Sequence, residues 1–563
     1  MKKTSLIFFA FICLAVCIGC TTIYNELPAM NEQLNTNDLK AIRSAVESAK
    51  KNDSKSSYNQ KNNISFLLDR GMLAFYDGDY AGSAPDLIEA ERLMEEAFTK
   101  SVRDNFIAFV SKNPNKAEYQ GEDFEDIYVN VFSALSFFNT GDIERALVEV
   151  RRVNQKLVYK NDEYEAYQAR LMTRFKDRVF GKVTYYTNSA LANYLAMLFW
   201  RGSNNPDSAR IDAQSITNAF NEAPHLYSHP IPSELVMRNN TNEELSVPAG
   251  MARMNFLVFT GLSPYKIGIK GKEMGQEMPN FKVFAYRNSP ADRIEVVFDN
   301  GTRRVLSLLE PMDKITQEIF ETRENQRRNV WALYNNISNY GKSWAIGIAD
   351  LFTFVFTFGN VDIAAKRAKD AEAKNNVSLD LRMGRFMPGK AYVGGVNLRP
   401  GTYSFIINYY AGQKLLNSKR IENKSINENS LNLVQDSNLA HDLFRTPGTL
   451  TEESIAAMPN FPGRLPAPTG FRIESGTTTD ELTFYTYKWD PVPGAVAYYV
   501  YDKYKAVYVN NVLNPFAEGD KYDLFDITQK PESGMSFWGS RPGACAKVIA
   551  VGAGGLGIPS QTF

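Results

Sequence analysis

The sequence predicts a multidomain α plus β protein: a helical N-terminal region, a central antiparallel β domain with a helical insertion, and a C-terminal β-sandwich. Three observations predict this order. Apolar residues recur at helical spacing through residues 37–224, with small residues on either side of two Gly-Asp turns. From about residue 251 the pattern changes to short β-branched and aromatic runs separated by turn residues. Beyond residue 465 a new series of strands begins, punctuated by Pro and Gly.

The chain starts with Lys2 and Lys3, continues through an apolar run from Leu6 to Val16, and reaches Gly19 before Cys20. This is the charged, apolar and small-residue order of an export signal over residues 1–19. The run is shorter than the ~20 residues a helix needs to span hydrocarbon. Cleavage before Cys20 uses Gly19, whereas cleavage before Cys17 would set bulky Val16 beside the cut. The stretch resembles a bacterial lipoprotein signal, which implies a lipidated Cys20 followed by a tether over 20–36. Thr21 follows Cys20 where an inner-membrane retention signal has aspartate, so the resemblance points to the outer membrane of a bacterial cell envelope, on its periplasmic side or at the cell surface. Each buried lipid CH₂ contributes ~0.8 kcal/mol, enough in sum to hold a multiply acylated chain on a bilayer. Cys13 and Cys17 would leave with the signal, and Cys545, between Ala544 and Ala546, reads as a small buried apolar residue. Lys plus Arg equals Asp plus Glu at 63 each, so no general electrostatic pull toward nucleic acid is expected.

In the helical region, Gly71 and Ala74 precede a turn at Gly78-Asp79-Tyr80, and Ser83, Leu87 and Ala90 follow it. The same grammar returns with Ala134, Gly141-Asp142, Ala146, Val150 and Val153. Weaker copies lie at 37–49, read as a second helix, and at 191–224. The two clear units resemble tetratricopeptide (TPR) hairpins. They are farther apart than the ~34-residue TPR period, so an extra helix is expected around 101–110. The resemblance implies a curved solenoid with a surface for a protein or peptide partner. Glu149, Arg152 and Asn154 on the second hairpin are the expected polar contacts, against the plainer alternative of a solvated helix face. Residues 225–250, with Pro230, Pro232 and Pro248, cannot continue a helix and form a linker or strap.

The β domain is expected over 251–440. Its strands are 255–262, 282–287, a hairpin over 293–309 turned by Asn300-Gly301 with positive φ angles, 377–383, 391–398 and 404–410. A helical insertion, about 311–374, begins near Pro311 with Ile315, Ile319, Val330, Leu333, Tyr334 and Ile337 as its inward stripe. Within it Phe352, Phe354, Phe356 and Phe358 alternate with Thr353, Val355 and Thr357, giving an aromatic face that is either buried or a docking surface for lipid or a partner. A linker over 441–464 leads to residues 465–563, which resemble a fibronectin type III domain with Trp489 as core tryptophan and Pro466, Pro468, Gly494 and Pro559 at turns and edges. Residues 119–152, 261–266 and 396–403 together resemble a largely uncharacterised group of bacterial lipoproteins with TPR-like N-termini, over most of residues 60–410. That resemblance implies architecture and supplies no site residues.

No catalytic, cofactor or metal site is expected. Gly552 to Gly557 spell the dinucleotide fingerprint but lack the following helix and acidic residue. Gly271-Lys272-Glu273 lacks the rest of a phosphate loop. The histidines are His225, His229 and His441, and the prolines around the first two oppose a helical ligand pair, leaving Glu222 or Glu234 as the nearest candidate co-ligands. Glu122, Asp123 and Glu125 cluster on one turn, where helix capping competes with a glycosidase carboxylate pair. The leading expectation is a non-enzymatic, lipid-anchored envelope adaptor. A surface adhesin or carbohydrate-binding lipoprotein, and an envelope glycan hydrolase, are the alternatives.

Overall fold

The computed structural model describes residues 34, 38–51, 58, 60–110, 118–175, 186–322, 380–440, 449–450, 455 and 464–562, apart from short stretches at 270–271, 274–275, 278–280, 288, 321, 480–481, 510–511, 529–530, 539–545 and 553–554. The segment expected to be an export signal with Cys20, residues 323–379 with their phenylalanine-rich stretch, most of the expected 441–464 linker, His441, Gly271 and Cys545 lie outside the described residues. The chain combines helices with β-sheets.

Helix α1 (Leu39–Lys51) packs on α2 (Asn63–Tyr76), and three helix pairs follow in series: α2 with α3 (Tyr80–Val110), α4 (Asp123–Asn139) with α5 (Ile143–Phe175), and α6 (Ala190–Gly202) with α7 (Pro206–Glu222). The Gly-Asp signal is a two-part device. Gly78 and Gly141 end their helices at φ +80 and +88, a region that costs other residues ~1–2 kcal/mol. Asp79 and Asp142 then start the next helix, their Oδ1 atoms accepting from Gly82 N and Arg145 N at 3.0 Å. Asn204-Asn205 does the same work between α6 and α7: Asn204 takes φ +56 and Asn205 Oδ1 accepts from Ser208 N at 3.2 Å. The small residues permit close helix contact; a Cβ at Gly71 would lie 2.8 Å from Leu87.

The extra helix expected around 101–110 is not a separate element. After Pro85 no Gly or Pro interrupts α3 before Val110, and α5 likewise runs through to Phe175, so long second helices account for the wide repeat spacing.

The central sheet has eight strands: β1 (Ala252–Ile269), β4 (Phe281–Arg287), β5 (Arg293–Phe298), β6 (Arg303–Glu310), β7 (Pro388–Leu398), β8 (Gly401–Ala411), β9 (Lys414–Ile426) and β10 (Asn432–Asn438), in the order β10-β1-β7-β6-β5-β8-β9 with β4 also on β1. A separate two-stranded piece joins β2 (Lys272–Glu273) to β3 (Gln276–Glu277). The domain is not wholly antiparallel, because β10 pairs parallel to β1 from Met254↔Asn432 to Thr260↔Asn438. Strand β1 is apolar without alternation because both of its faces are buried. Phe256 and Val258 join Phe298, Phe405 and Ile407 in a core within the sheet, while Leu257 and Phe259 enter the helix core. There Phe259 meets the rings of Phe132 and Phe75 at centroid distances of 5.2 and 6.4 Å.

Two local expectations are corrected. At the β5–β6 turn only Gly301 has positive φ, at +85; Asn300 instead accepts from Thr302 N at 3.0 Å, so the connection is an Asx-stabilised turn with a glycine bulge. Residues 380–383, the described part of the segment expected to be a strand over 377–383, form no strand. Side chains take up the backbone of Arg382, whose N–H bonds Asp380 Oδ1 at 3.1 Å and whose carbonyl accepts from Lys266 Nζ at 2.6 Å, and β7 begins only at Pro388. Of the insertion, residues 312–320 are helical, with Ile315 and Ile319 buried. The 225–250 segment is a fitted strap, with Leu226, Tyr227, Leu235, Glu234 and Glu244 buried.

The C-terminal region contains two sheets. One orders β12 (Arg472–Thr479), β13 (Leu482–Lys488) and β16 (Glu532–Trp538); the other orders β11 (Thr449–Leu450), β15 (Val512–Thr528), β14 (Ala495–Val509), β17 (Ala546–Gly552) and β18 (Gly555–Pro559). Trp489 is fully buried among Tyr487, Tyr498, Val500 and Val548. The 552–557 glycine run links β17 to β18, with Gly552 paired to Gly555.

Candidate functional site

The first helix of each pair meets the sheet, and three buried carboxylates hold that junction. Each is a polar residue interrupting an apolar stretch: Asp69 in α2, Glu125 in α4 and Glu310 at the end of β6.

Glu125 sits at the start of α4, where it completes a capping box with Glu122. Its Oε2 accepts from Tyr119 Oη at 2.6 Å and Glu122 N at 2.8 Å, and its Oε1 accepts from Gly384 N. Burial pushes the carboxyl up to about 7 against the pull of Lys266. Lys266, from β1, reaches Glu122 and donates to Arg382 O at 2.6 Å. Asp69 repeats the arrangement on α2. Its Oδ1 accepts from Arg385 N at 2.5 Å and its Oδ2 from Tyr58 Oη at 2.6 Å. Burial raises it to about 6, opposed by Arg385. Arg382 donates to Asn62 Oδ1 at 2.9 Å, and Tyr76 Oη donates to Phe386 O at 2.8 Å. Residues 382–387 thus cross the first helices of two successive pairs, with main-chain groups fixed by helix side chains.

Glu310 anchors the third pair. It accepts from Tyr128 Oη at 2.9 Å, Ser189 Oγ at 2.8 Å, Tyr227 Oη at 3.1 Å and Leu191 N at 2.8 Å, capping the N-terminus of α6 from another element. Burial raises its pKa. Glu244, in the 225–250 strap, is held differently. Arg201, Arg253 and Asn255 each donate to it at 2.7 Å; burial pushes the carboxyl up, but the two guanidinium groups outweigh it and hold the group below its ordinary range.

The residues named as partner contacts fall between helices. Glu149 is buried and accepts from Asn130 Nδ2 at 2.6 Å; burial raises its pKa. Arg152 reaches Glu91 and Glu95 at 3.0 Å, and Asn154 joins α5 to α6 by donating to Asn193 Oδ1 at 2.7 Å and accepting from Ser189 N at 3.1 Å. Asp123 bonds Lys160 at 2.9 Å and Tyr164 at 2.5 Å. Glu125 has the raised pKa of a general acid, yet it is fully enclosed and both oxygens are engaged, so chemistry on a glycan would require those bonds to be given up. His225 faces Glu318 at 3.3 Å, and His229 lies against Phe220, where burial lowers it to about 4. Among the described residues no group of three or more His, Cys, Asp or Glu could hold a metal ion. No described helix is long and apolar enough to cross a membrane.

The second helices carry exposed apolar residues: Val148 at 54%, Val158 at 48% and Tyr159 at 58% on α5, and Ile211 at 60% on α7. Arg151 ties α5 to α6 through the Trp200 ring, 4.8 Å away, and to α7 through its attraction to Asp212, whose pKa burial raises to about 6.

Comparison of the chain with family models, curated proteins and solved structures finds no match.

Proposed function

We propose that this chain is a lipid-anchored adaptor of a bacterial cell envelope, held on the outer membrane through Cys20, and that it binds a protein or peptide partner through a TPR-like helix stack. The observation that carries the reading is the division of the stack into two sides. Its first helices are covered by the chain's own sheet and by residues 382–387, while α5 and α7 present Val148, Val158, Tyr159 and Ile211 to solvent beside Arg151 and Trp200. Aromatic and arginine residues are the types that anchor protein interfaces. The partner surface is therefore the outer side of the stack, and the expected contacts at Glu149, Arg152 and Asn154 give way to this face.

The terminal region supports a fibronectin type III-like spacer. Its sheets order β12-β13-β16 and β15-β14-β17-β18, which in strand letters reads A-B-E and C′-C-F-G, around a buried Trp489. The export signal and Cys20 support the anchor.

The test places a photo-crosslinking residue at Tyr159 or Ile211, and at Phe386 as an inward control, in living cells. A discrete adduct from the outer positions alone, together with release of a Cys20→Ser variant from membranes, is the expected result. Membrane retention of the Cys20→Ser variant at the level of the parent overturns the anchor; no adduct from either outer position overturns the binding face.

A further inference from the structure

Asp69 and Glu125 share a construction that Glu244 lacks. One carboxyl oxygen takes a main-chain N–H of the 382–387 crossing, and the other faces a tyrosine hydroxyl, Tyr58 or Tyr119, the Glu125 oxygen also taking the N–H of Glu122 at 2.8 Å. A hydroxyl can turn from donor to acceptor. Each carboxyl can therefore take up a proton on its tyrosine side and keep its bond to Arg385 N or Gly384 N. We propose that residues 382–387 form a pH-responsive latch between the helix stack and the sheet, firm when Asp69 and Glu125 are protonated and loosened when both are ionised. This inference is independent of the adaptor reading.

The charged groups around the two carboxyls fit that behaviour. Glu125 faces Glu122 on its own turn, Lys266 from β1, and, across Tyr119, Arg382 and Asp380 of the crossing. Lys266 is shared with Glu122, and Arg382 is held by Asp380 in a two-bond fork at 2.7 and 2.8 Å. Asp69 faces Arg385 from the crossing and Arg287 from β4. Arg287 is itself buried and pushed down to about 10 by that burial. Desolvation outweighs these cations at both carboxyls, and their pKa values rise to about 6 and about 7.

The sign follows from linkage. Both groups bind protons more tightly in the closed latch than in water, so the stabilisation is complete below the ordinary carboxylate range of about 4 and is lost as pH rises toward the closed-state values. Over that window the opening constant grows about tenfold per pH unit for each group still protonated in the closed state.

Hydrogen exchange of the Gly384 and Arg385 amides in the full chain, corrected for the intrinsic rate, tests this between pH 5 and pH 8. The Phe298 amide, bonded to Thr302 O at 2.9 Å in the β5–β6 turn, is the internal reference. Protection of the crossing relative to Phe298 should fall from pH 5 to about pH 7 and then level. Glu125→Gln should remove the slope above about pH 6 and halve it below, whereas Asp69→Asn should halve the slope below about pH 6 and leave the upper part. Relative protection that is constant in the unmodified chain, or that rises with pH, overturns the latch, as does an unchanged slope in the double variant. Because the wild-type profile is itself decisive, a variant that fails to fold leaves the test intact.

Discussion

Replacing Glu310 with alanine tests the junction most directly. The carboxylate receives Tyr128 Oη, Ser189 Oγ, Tyr227 Oη and Leu191 N within 3.1 Å, all in a buried site. Glu310→Ala strands these four donors. At about 1 kcal/mol for each unmet bond the loss is about 4 kcal/mol. Relief of carboxyl desolvation and the Tyr186–Tyr227 hydroxyl contact at 3.3 Å return part of it, leaving about 3 kcal/mol. Glu310→Gln keeps the shape but turns an NH₂ toward donors, for a loss of about 1–2 kcal/mol. Urea unfolding followed by tryptophan fluorescence measures both, with Arg420→Ala as an exposed control expected to cost under about 1 kcal/mol. Since burial raises the Glu310 pKa, wild-type stabilisation by this group is greatest in acid and declines as pH rises, so the Glu310→Gln deficit should shrink toward alkaline pH. Losses below about 1 kcal/mol for both variants, matching the control, would refute the assignment of Glu310 as the anchor of the third helix pair.

Phe259→Ala removes the ring that meets Phe132 and Phe75 across the junction and should cost about 3–5 kcal/mol in the same assay, with cooperativity between helices and sheet reduced. Glu244→Gln leaves Arg201 and Arg253 without a full counter-charge and should cost about 3 kcal/mol near neutral pH. Its pH profile should run opposite to that of Glu310: the folded Glu244 pKa is depressed, so its stabilisation is present above the ordinary carboxylate range and is lost as pH falls through the folded value.

Much of the architecture could be read from residues whose local physics is unambiguous. Gly78-Asp79 and Gly141-Asp142 announce turns because one residue supplies a left-handed backbone and the next a capping oxygen. The third copy was harder to see because Asn204-Asn205 performs both tasks with different letters. The apolar run of β1 revealed a strand, but not that its two faces enter two different cores. The sequence pattern places a strand at 377–383 because it cannot show that the side chains of Asp380 and of the distant Lys266 claim the backbone of Arg382 in the described part. Asp69, Glu125 and Glu310 carried the available signal, a charge inside an apolar stretch, but their partners lie far along the chain and local reading does not find them. Glu149, Arg152 and Asn154 looked like groove contacts because helical periodicity does not distinguish solvent from the seam between two helices.

The position of β1 also sets a timetable for folding. Met254 pairs with Val396 on one side and with Asn432 on the other, so neither neighbour exists until long after β1 has been synthesised. Until then the part of β1 that carries Phe259 lacks the flanking strands that hold its ring over Phe75 and Phe132, and local helix formation must run ahead of distant strand pairing. Nascent chains that stop before residue 432 should therefore depend on a chaperone to shield this apolar surface.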